Sequence, residues 1–236
     1  MTLAELRGTE QKLSLRVFRW RRPLDFALAY GEQLRLWQQV LSGQAGDALM
    51  LLEHPPVITF GKSGRLENLL VDKAALARLG VGLFFTDRGG DVTYHGPGQL
   101  VAYPIIDLRR RGRDVHRYIH DLEEVIIRTL ADFGVTAGRD ERRVGVWVDG
   151  EKIAAIGVRV RRWVTLHGLA VNVVPELAHF GLINPCGITE RGVTSLERLT
   201  GCRVSVAEVA TCLAGRFVEV FGYEGSAVSL TVRGGV

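Results

Sequence analysis

The chain has 236 residues, 47% of them apolar and 24% charged, and a net charge of +4. That length and composition suit one domain with a substantial core, and no apolar run approaches the roughly 20 residues that span a bilayer. Three cysteines without Cys-x-x-Cys spacing exclude a disulfide framework and a structural zinc site.

The first residues mix charge with apolar side chains and contain no continuous signal-like segment, so a soluble cytoplasmic protein is expected. Residues 1–12 read as a loosely ordered extension. Of the 30 basic residues 26 are arginine. The runs Arg109–Arg113 and Arg159–Arg162 carry no aromatic interleaving and no nucleic-acid motif. They read as a solvated basic surface suited to an acidic protein partner, not to nucleic acid or a membrane.

In chain order, Leu13–Trp20 reads as a strand. Pro23 opens a helix at a position where its missing N–H costs little, and that helix keeps an apolar face to about residue 42. Ala48–Glu53 is a buried strand, turned by His54-Pro55-Pro56, and Val57–Phe60 is a short strand. Asp72 caps a helix that Gly80 ends. Val81–Phe85 and Leu100–Leu108 read as strands flanking a long glycine-bearing loop. Asp114 caps the clearest helix, apolar from Val115 to Phe133 at helical spacing and stopped by Gly134.

Val144–Val148, Lys152–Val160, Trp163–Leu166 and Leu169–Val174 read as four strands, the first two joined by the hairpin signal Asp149-Gly150. Ser205-Val-Ala-Glu208 is a capping box opening a last helix, and Ala227–Val232 is a final strand. Strands outnumber helices and come partly in hairpins. The expected fold is therefore α/β (α+β), a mixed, largely antiparallel sheet covered by helices. No linker or repeat divides the chain.

Three places attract chemistry. Arg88-Gly-Gly-Asp-Val-Thr-Tyr-His-Gly-Pro-Gly-Gln99 sets four glycines among an arginine, an aspartate and a histidine at strand ends, where a rigid scaffold presents a binding loop. Cys186, between Pro185 and Gly187, is placed as a nucleophile that needs a partner to lower its pKa. Lys152 is a candidate partner, since lysine occurs only at positions 12, 62, 73 and 152 and an amine can act as a base where arginine cannot. His95 and His167 are rival bases, and spacing does not choose among the three. No His-Glu-x-x-His pattern occurs, so metal catalysis is not expected, and the phosphate-cradling Walker pattern is also absent.

Together Leu52-Glu-His-Pro-Pro-Val57, Arg88–Leu100, Lys152-Ile-Ala-Ala-Ile-Gly157, His167-Gly-Leu-Ala-Val-Asn172, Pro185-Cys-Gly-Ile188 and Val193-Thr-Ser-Leu196 resemble the lipoyl(octanoyl) transferase family. They follow the family's order across roughly residues 15–220. Position 155 is alanine where serine is often found. The resemblance implies the fold of biotin and lipoate protein ligases, and a single acyltransferase domain spanning residues 1–236.

It also implies octanoyl transfer from octanoyl-acyl carrier protein to the target lysine of apo lipoyl domains, those of 2-oxoacid dehydrogenase complexes and of the glycine cleavage H protein. Cys186 would carry the thioester and Lys152 would move the proton. Substrate contacts map to Arg88, Gly89, Gly90, Asp91, Val92, Thr93, Tyr94 and His95, to Ala155, Ile156 and Gly157, and to Gly168, Leu169 and Ala170. No cofactor is implied. An ATP-dependent lipoate or biotin ligase, an octanoyl amidotransferase and a non-enzymatic binding module are the rival readings.

Overall fold

The computed structural model describes residues 13–184 and 192–234. The extension at 1–12 and the loop cysteine Cys186 lie outside the described residues. Strand β1 (Leu15–Trp20) runs into helix α1 (Phe26–Leu41) and strand β2 (Asp47–Leu52). The two strands pair in parallel, as a helical crossover requires. The helix starts later than Pro23 suggests. Asp25 is its cap, accepting from the N–H groups of Ala27 and Leu28, so the proline sits in the approach.

β3 (Val57–Phe60), α2 (Lys73–Arg78), β4 (Gly82–Phe85) and β5 (Val92–His95) follow. Here the structure departs from the sequence reading. Val92–His95 lies inside the expected loop yet forms a strand antiparallel to β3, with Val57 opposite His95 and Phe60 opposite Val92. Valine, threonine and tyrosine favour a pleated, half-buried surface, and the flanking glycines obscured that preference. A three-stranded sheet β4-β3-β5 results.

The chain continues through β6 (Gln99–Ile105), α3 (Val115–Asp132), β7 (Gly138–Asp140), β8 (Arg143–Val148), β9 (Glu151–Arg161), β10 (Val164–Asn172), α4 (Leu196–Thr200), α5 (Val206–Val220) and β11 (Val228–Arg233). Asp114 and the Ser205–Glu208 capping box start α3 and α5 as the sequence reads. Asp149 and Gly150, both at positive φ, close the β8–β9 hairpin, the geometry that matches strand twist. Trp163–Leu166 and Leu169–Val174 are one strand, not two. The chain passes through His167 at φ 58°, and the His167 N–H donates to Gln33 Oε1 of α1 at 2.8 Å.

Eight strands form the main sheet in the order β11-β1-β2-β6-β10-β9-β8-β7. Only the β11–β1 and β1–β2 pairs are parallel. One face buries Leu100, Ala102, Leu169 and Val171 against α3 and α5, through Leu122, Ile126, Leu213 and Phe217. The other face presents Val101, Tyr103, Leu166 and Ala170 to α1, through Leu36, Trp37 and Val40. Over β9 the loop that leads into β5 of the small sheet takes the place of α1. It is stitched down by Gly89, whose N–H donates to Val158 O at 2.9 Å. No helix among the described residues is long and apolar enough to cross a membrane.

Candidate functional site

Between the small sheet and β9–β10 lies a cavity of about 610 Å³. Its floor is made where two strands place small residues opposite each other: Ala155 faces Ala170 and Gly157 faces Gly168. A floor that carries nothing larger than a methyl group leaves space along the sheet for an extended apolar group. Gly157 is also where the Arg88 loop crosses β9. A Cβ there would stand 3.0 Å from Gly89 O and 3.2 Å from Arg88 Cδ. Gly157→Val is therefore expected to lever the loop off β9 and to lower stability by roughly 1–3 kcal/mol, read as a shift in the denaturant midpoint. An unchanged midpoint would mean that the crossing is looser than drawn.

Lys152 stands at the head of the trough because of a bulge. Along β9, Ala154, Ile156 and Val158 pack toward α3 and α5, while Ala155 and Gly157 line the cavity. Strict alternation would send Lys152 to the Ala154 side. Instead the β8–β9 register shifts: Val146 opposes Ala154 but Trp147 opposes Lys152. The extra residue, Ile153, is buried with Ala154, and Lys152 moves to the cavity face, a re-aiming that bulges produce. Gly145, at φ 129°, makes room. A Cβ on it would be 3.2 Å from Lys152 Cε.

The amine of Lys152 donates to Val144 O at 3.3 Å and lies 4.8 Å from the Trp147 ring centre. A carbonyl oxygen accepts a hydrogen bond from an amine, and an indole face attracts a cation. The Lys152 backbone is clamped too. Its N–H donates to Gly192 O at 3.0 Å, and its carbonyl accepts from Thr194 N at 3.1 Å. Ile183, Gly192 and Val193 line the cavity. These are described residues on either side of segment 185–191, to which Cys186 belongs.

The Arg88–His95 stretch divides into several roles. Arg88 donates from Nη2 to Thr59 O at 2.7 Å, from Nε to Thr59 Oγ1 at 3.2 Å and from Nη1 to Gly89 O at 3.0 Å, bracing its own loop beside the cavity. Asp91 holds the neighbouring turn by accepting from Arg65 N and Asn68 Nδ2. Gly90, Val92, Thr93 and His95 line the cavity. Gly89 is not among the lining residues, being the stitch to Val158. Tyr94, on the opposite face of β5 from His95, shares its hydroxyl with His179 Nδ1 at 2.8 Å. The paired Ala155, Gly157, Gly168 and Ala170 floor the trough, while Ile156 and Leu169 border it between them with their side chains packed on the α3 and α5 side.

His95 ends a polar relay. Asn172 Nδ2 donates to Thr194 O at 3.0 Å, and Gln99 Nε2 donates to Asn172 Oδ1 at 2.9 Å. Gln99 Oε1 is thereby left to accept from His95 Nδ1 at 2.7 Å, so in the neutral ring the proton sits on Nδ1 and Nε2 carries a lone pair. Burial first, and the neighbouring His54 second, lower the His95 pKa to about 3. His167 donates from Nε2 to Asp87 at 2.8 Å, and Asp87 is itself paired with Arg159. Burial, with Arg88 and Arg159 close by, lowers the His167 pKa to about 3. Neither ring is poised near neutrality, where a general base works best.

The model of the lipoyl protein ligase A/B catalytic domain matches residues 25–218. The chain belongs to that family. It is 51% identical to an octanoyltransferase of Caldicellulosiruptor saccharolyticus over 80% of this chain and 82% of the relative. It is also 51% identical to one of Geobacter metallireducens, over 82% and 88%. By these relatives this member of the family is an acyltransferase. A crystal structure of lipoate-protein ligase A bound with ATP superposes with a TM-score of 0.70 at 16% identity, over 94% of this chain and 89% of the other. A biotin protein ligase from Aquifex aeolicus in complex with biotin and ATP gives 0.52 at 13% identity, over 87% and 70%. At such identities these two establish the shared fold.

In this lipoyl protein ligase A/B domain several cavity residues had no role in the sequence reading. Trp147 sits in an unremarkable strand and Gly145 one turn of the alternation before it. Gln99 and Asn172 lie within the quoted motifs, but only the relay explains them. Tyr103, lining the cavity, donates its hydroxyl to His54 Nε2 at 2.7 Å, while His54 Nδ1 donates to Leu24 O at 2.6 Å. The signal for His54 was its place before two prolines.

Proposed function

We propose that the chain moves an octanoyl group from octanoyl-acyl carrier protein, through a thioester on Cys186, to the target lysine of apo lipoyl domains. In this reading the enzyme works in the cytoplasm on the lipoyl domains of 2-oxoacid dehydrogenase complexes and on the glycine cleavage H protein, and needs no cofactor. The observation that carries it is Lys152. The bulge brings this amine to the head of an apolar trough, beside the residues that flank the segment bearing Cys186.

The chemistry closes without another reactant. The Cys186 thiolate attacks the donor thioester carbonyl, and the bond from that carbon to the donor sulfur breaks. The departing thiolate takes a proton. In the second half the acceptor amine attacks the new thioester, an amide forms, and the sulfur of Cys186 leaves. Lys152 holds a proton against the thiolate in the first half and passes protons in the second. Seating about six methylenes along Ala155–Gly157 and Gly168–Ala170 contributes on the order of 5 kcal/mol before ordering costs, at ~0.8 kcal/mol each. That favours a medium chain over acetyl, but separates eight carbons from seven only a few-fold.

Arg88, Gly89, Gly90 and Asp91 shape the loop over the chain, Val92, Thr93 and His95 form its wall, and Tyr94 anchors β5 from behind. The two histidines, with pKa values about 3, support positioning roles and leave proton transfer to Lys152. Mixing the enzyme with octanoyl-carrier protein is expected to add one octanoyl group in intact-mass measurement. Cys186→Ser is expected to lose both a hydroxylamine-labile adduct and transfer to a lipoyl domain. ATP-dependent transfer persisting in that variant would replace the thioester reading with a ligase.

A further inference from the structure

Most arginines in the described structure have an acceptor. Arg139 pairs with Glu123 at 3.2 Å and with Glu124 at 2.7 Å, Arg109 with Asp107, and Arg216 with Asp132 and Glu219. Arg142 and Arg143, where the β7–β8 turn meets the cavity, are different. Both line its rim, and neither side chain has a carboxylate partner among the described residues. Nη1 of Arg143 is buried with no hydrogen-bond acceptor. Asp140 accepts from the Arg142 backbone N–H at 2.9 Å, and Glu141 is not among the lining residues. Between the arginines and the amine of Lys152 stands Val144, which is 47% exposed.

Two guanidinium groups with no carboxylate partner among the described residues, beside an exposed valine at the mouth of a substrate cavity, match an anionic protein surface with an apolar centre. We infer that Arg142 and Arg143 receive the acidic face of the donor carrier protein. The inference rests on the octanoyl-transfer reading and names its donor-docking surface. The donor fits this rim better than the acceptor does because their reaches differ. A carrier delivers its thioester on a long arm and so touches the outer rim. An acceptor lysine has a short stem, and its domain must press closer to Lys152 and Gly192. Charge at a rim acts mainly on encounter and on its salt dependence.

The test compares three donors on the full-length chain: octanoyl-carrier protein, octanoyl-phosphopantetheine and octanoyl-pantetheine. For Arg142→Glu/Arg143→Glu the KM for the carrier is expected to rise on the order of 10-fold, with kcat within a few-fold and a flatter dependence on salt. Both small donors should keep their kcat/KM within about twofold, as a rim contact with the carrier predicts. Arg142→Ala/Arg143→Ala gives the same ordering with a smaller change if the reversed charges prevent folding. An unchanged carrier KM overturns the inference. So does an equal loss for the phosphate-bearing small donor, which would make the arginines readers of the arm. A loss confined to the KM of the lipoyl domain overturns it as well, assigning the rim to the acceptor. Failure of the octanoyl-transfer reading itself looks different: the unmodified chain then transfers from none of the three.

Discussion

Lys152→Arg is expected to keep the fold and the positive charge and still to lose roughly 10²–10⁴-fold in octanoyl transfer, the range for removing a positioned proton carrier. Arginine stays protonated throughout the accessible pH range, so it can stabilise a thiolate but cannot accept a proton from the attacking amine. The two half-reactions should therefore separate. Lys152→Arg is expected to form the acyl-enzyme and to accumulate it, while Lys152→Met is expected to fail at the first step.

Space adds a second reason. The lysine amine occupies a slot bounded by Val144 O, the Trp147 ring and the Cα of Gly145, and a planar guanidinium is wider than an ammonium. Rapid-quench measurement of acyl-enzyme formation, alongside steady-state transfer, resolves the two steps. Near-normal turnover in the arginine variant would reduce Lys152 to an electrostatic role.

Lys152 shows how much of such a site is legible in a sequence. Its rarity among arginines and its place at the head of an apolar strand marked it. The bulge that aims it did not show, because Lys152–Gly157 reads as a regular strand and only pairing with β8 reveals that Ile153 is extra. Helices α3 and α5 were legible because a local cap and a 3.6-residue period both declare a helix. Strand β5 was hidden because four glycines around Val92–His95 advertise a loop, while the strand exists through its partner β3.

Strand β10 read as two because His167-Gly168 looks like a turn. The backbone does turn left-handed at His167, yet pairing with β9 runs through it. Local signals survive in the sequence, and features set by cross-strand register do not. The relay His95–Gln99–Asn172–Thr194 belongs to the second kind. Its members lie on β5, β6, β10 and the stretch before α4, and no spacing connects all of them.

That relay and its neighbour His54 predict that the protein is acid-labile. His54 is fully buried, and burial lowers its pKa from the ordinary 6.5 to about 4. His95 falls to about 3. In the unfolded chain both rings titrate near 6.5. Above that pH they are neutral in both states and cost nothing. Below it the unfolded state takes up protons that the folded state refuses, so stability falls as pH drops from 6.5 toward 4 for His54 and toward 3 for His95.

At about 1.4 kcal/mol per pKa unit the two together withdraw several kcal/mol, a large part of the 5–15 kcal/mol typical of a domain. The window above pH 5 belongs to the histidines, since carboxylates titrate lower. The thermal midpoint is expected to fall steadily from pH 6.5 to 5, and in His54→Gln, which cannot charge, to fall more shallowly. Transfer activity should decline with it, because a protonated His54 can no longer accept from Tyr103 at the cavity wall. A midpoint that is level between pH 6.5 and 5, or a His54→Gln protein with the slope of the unmodified chain, would show that these rings charge without cost in the folded state.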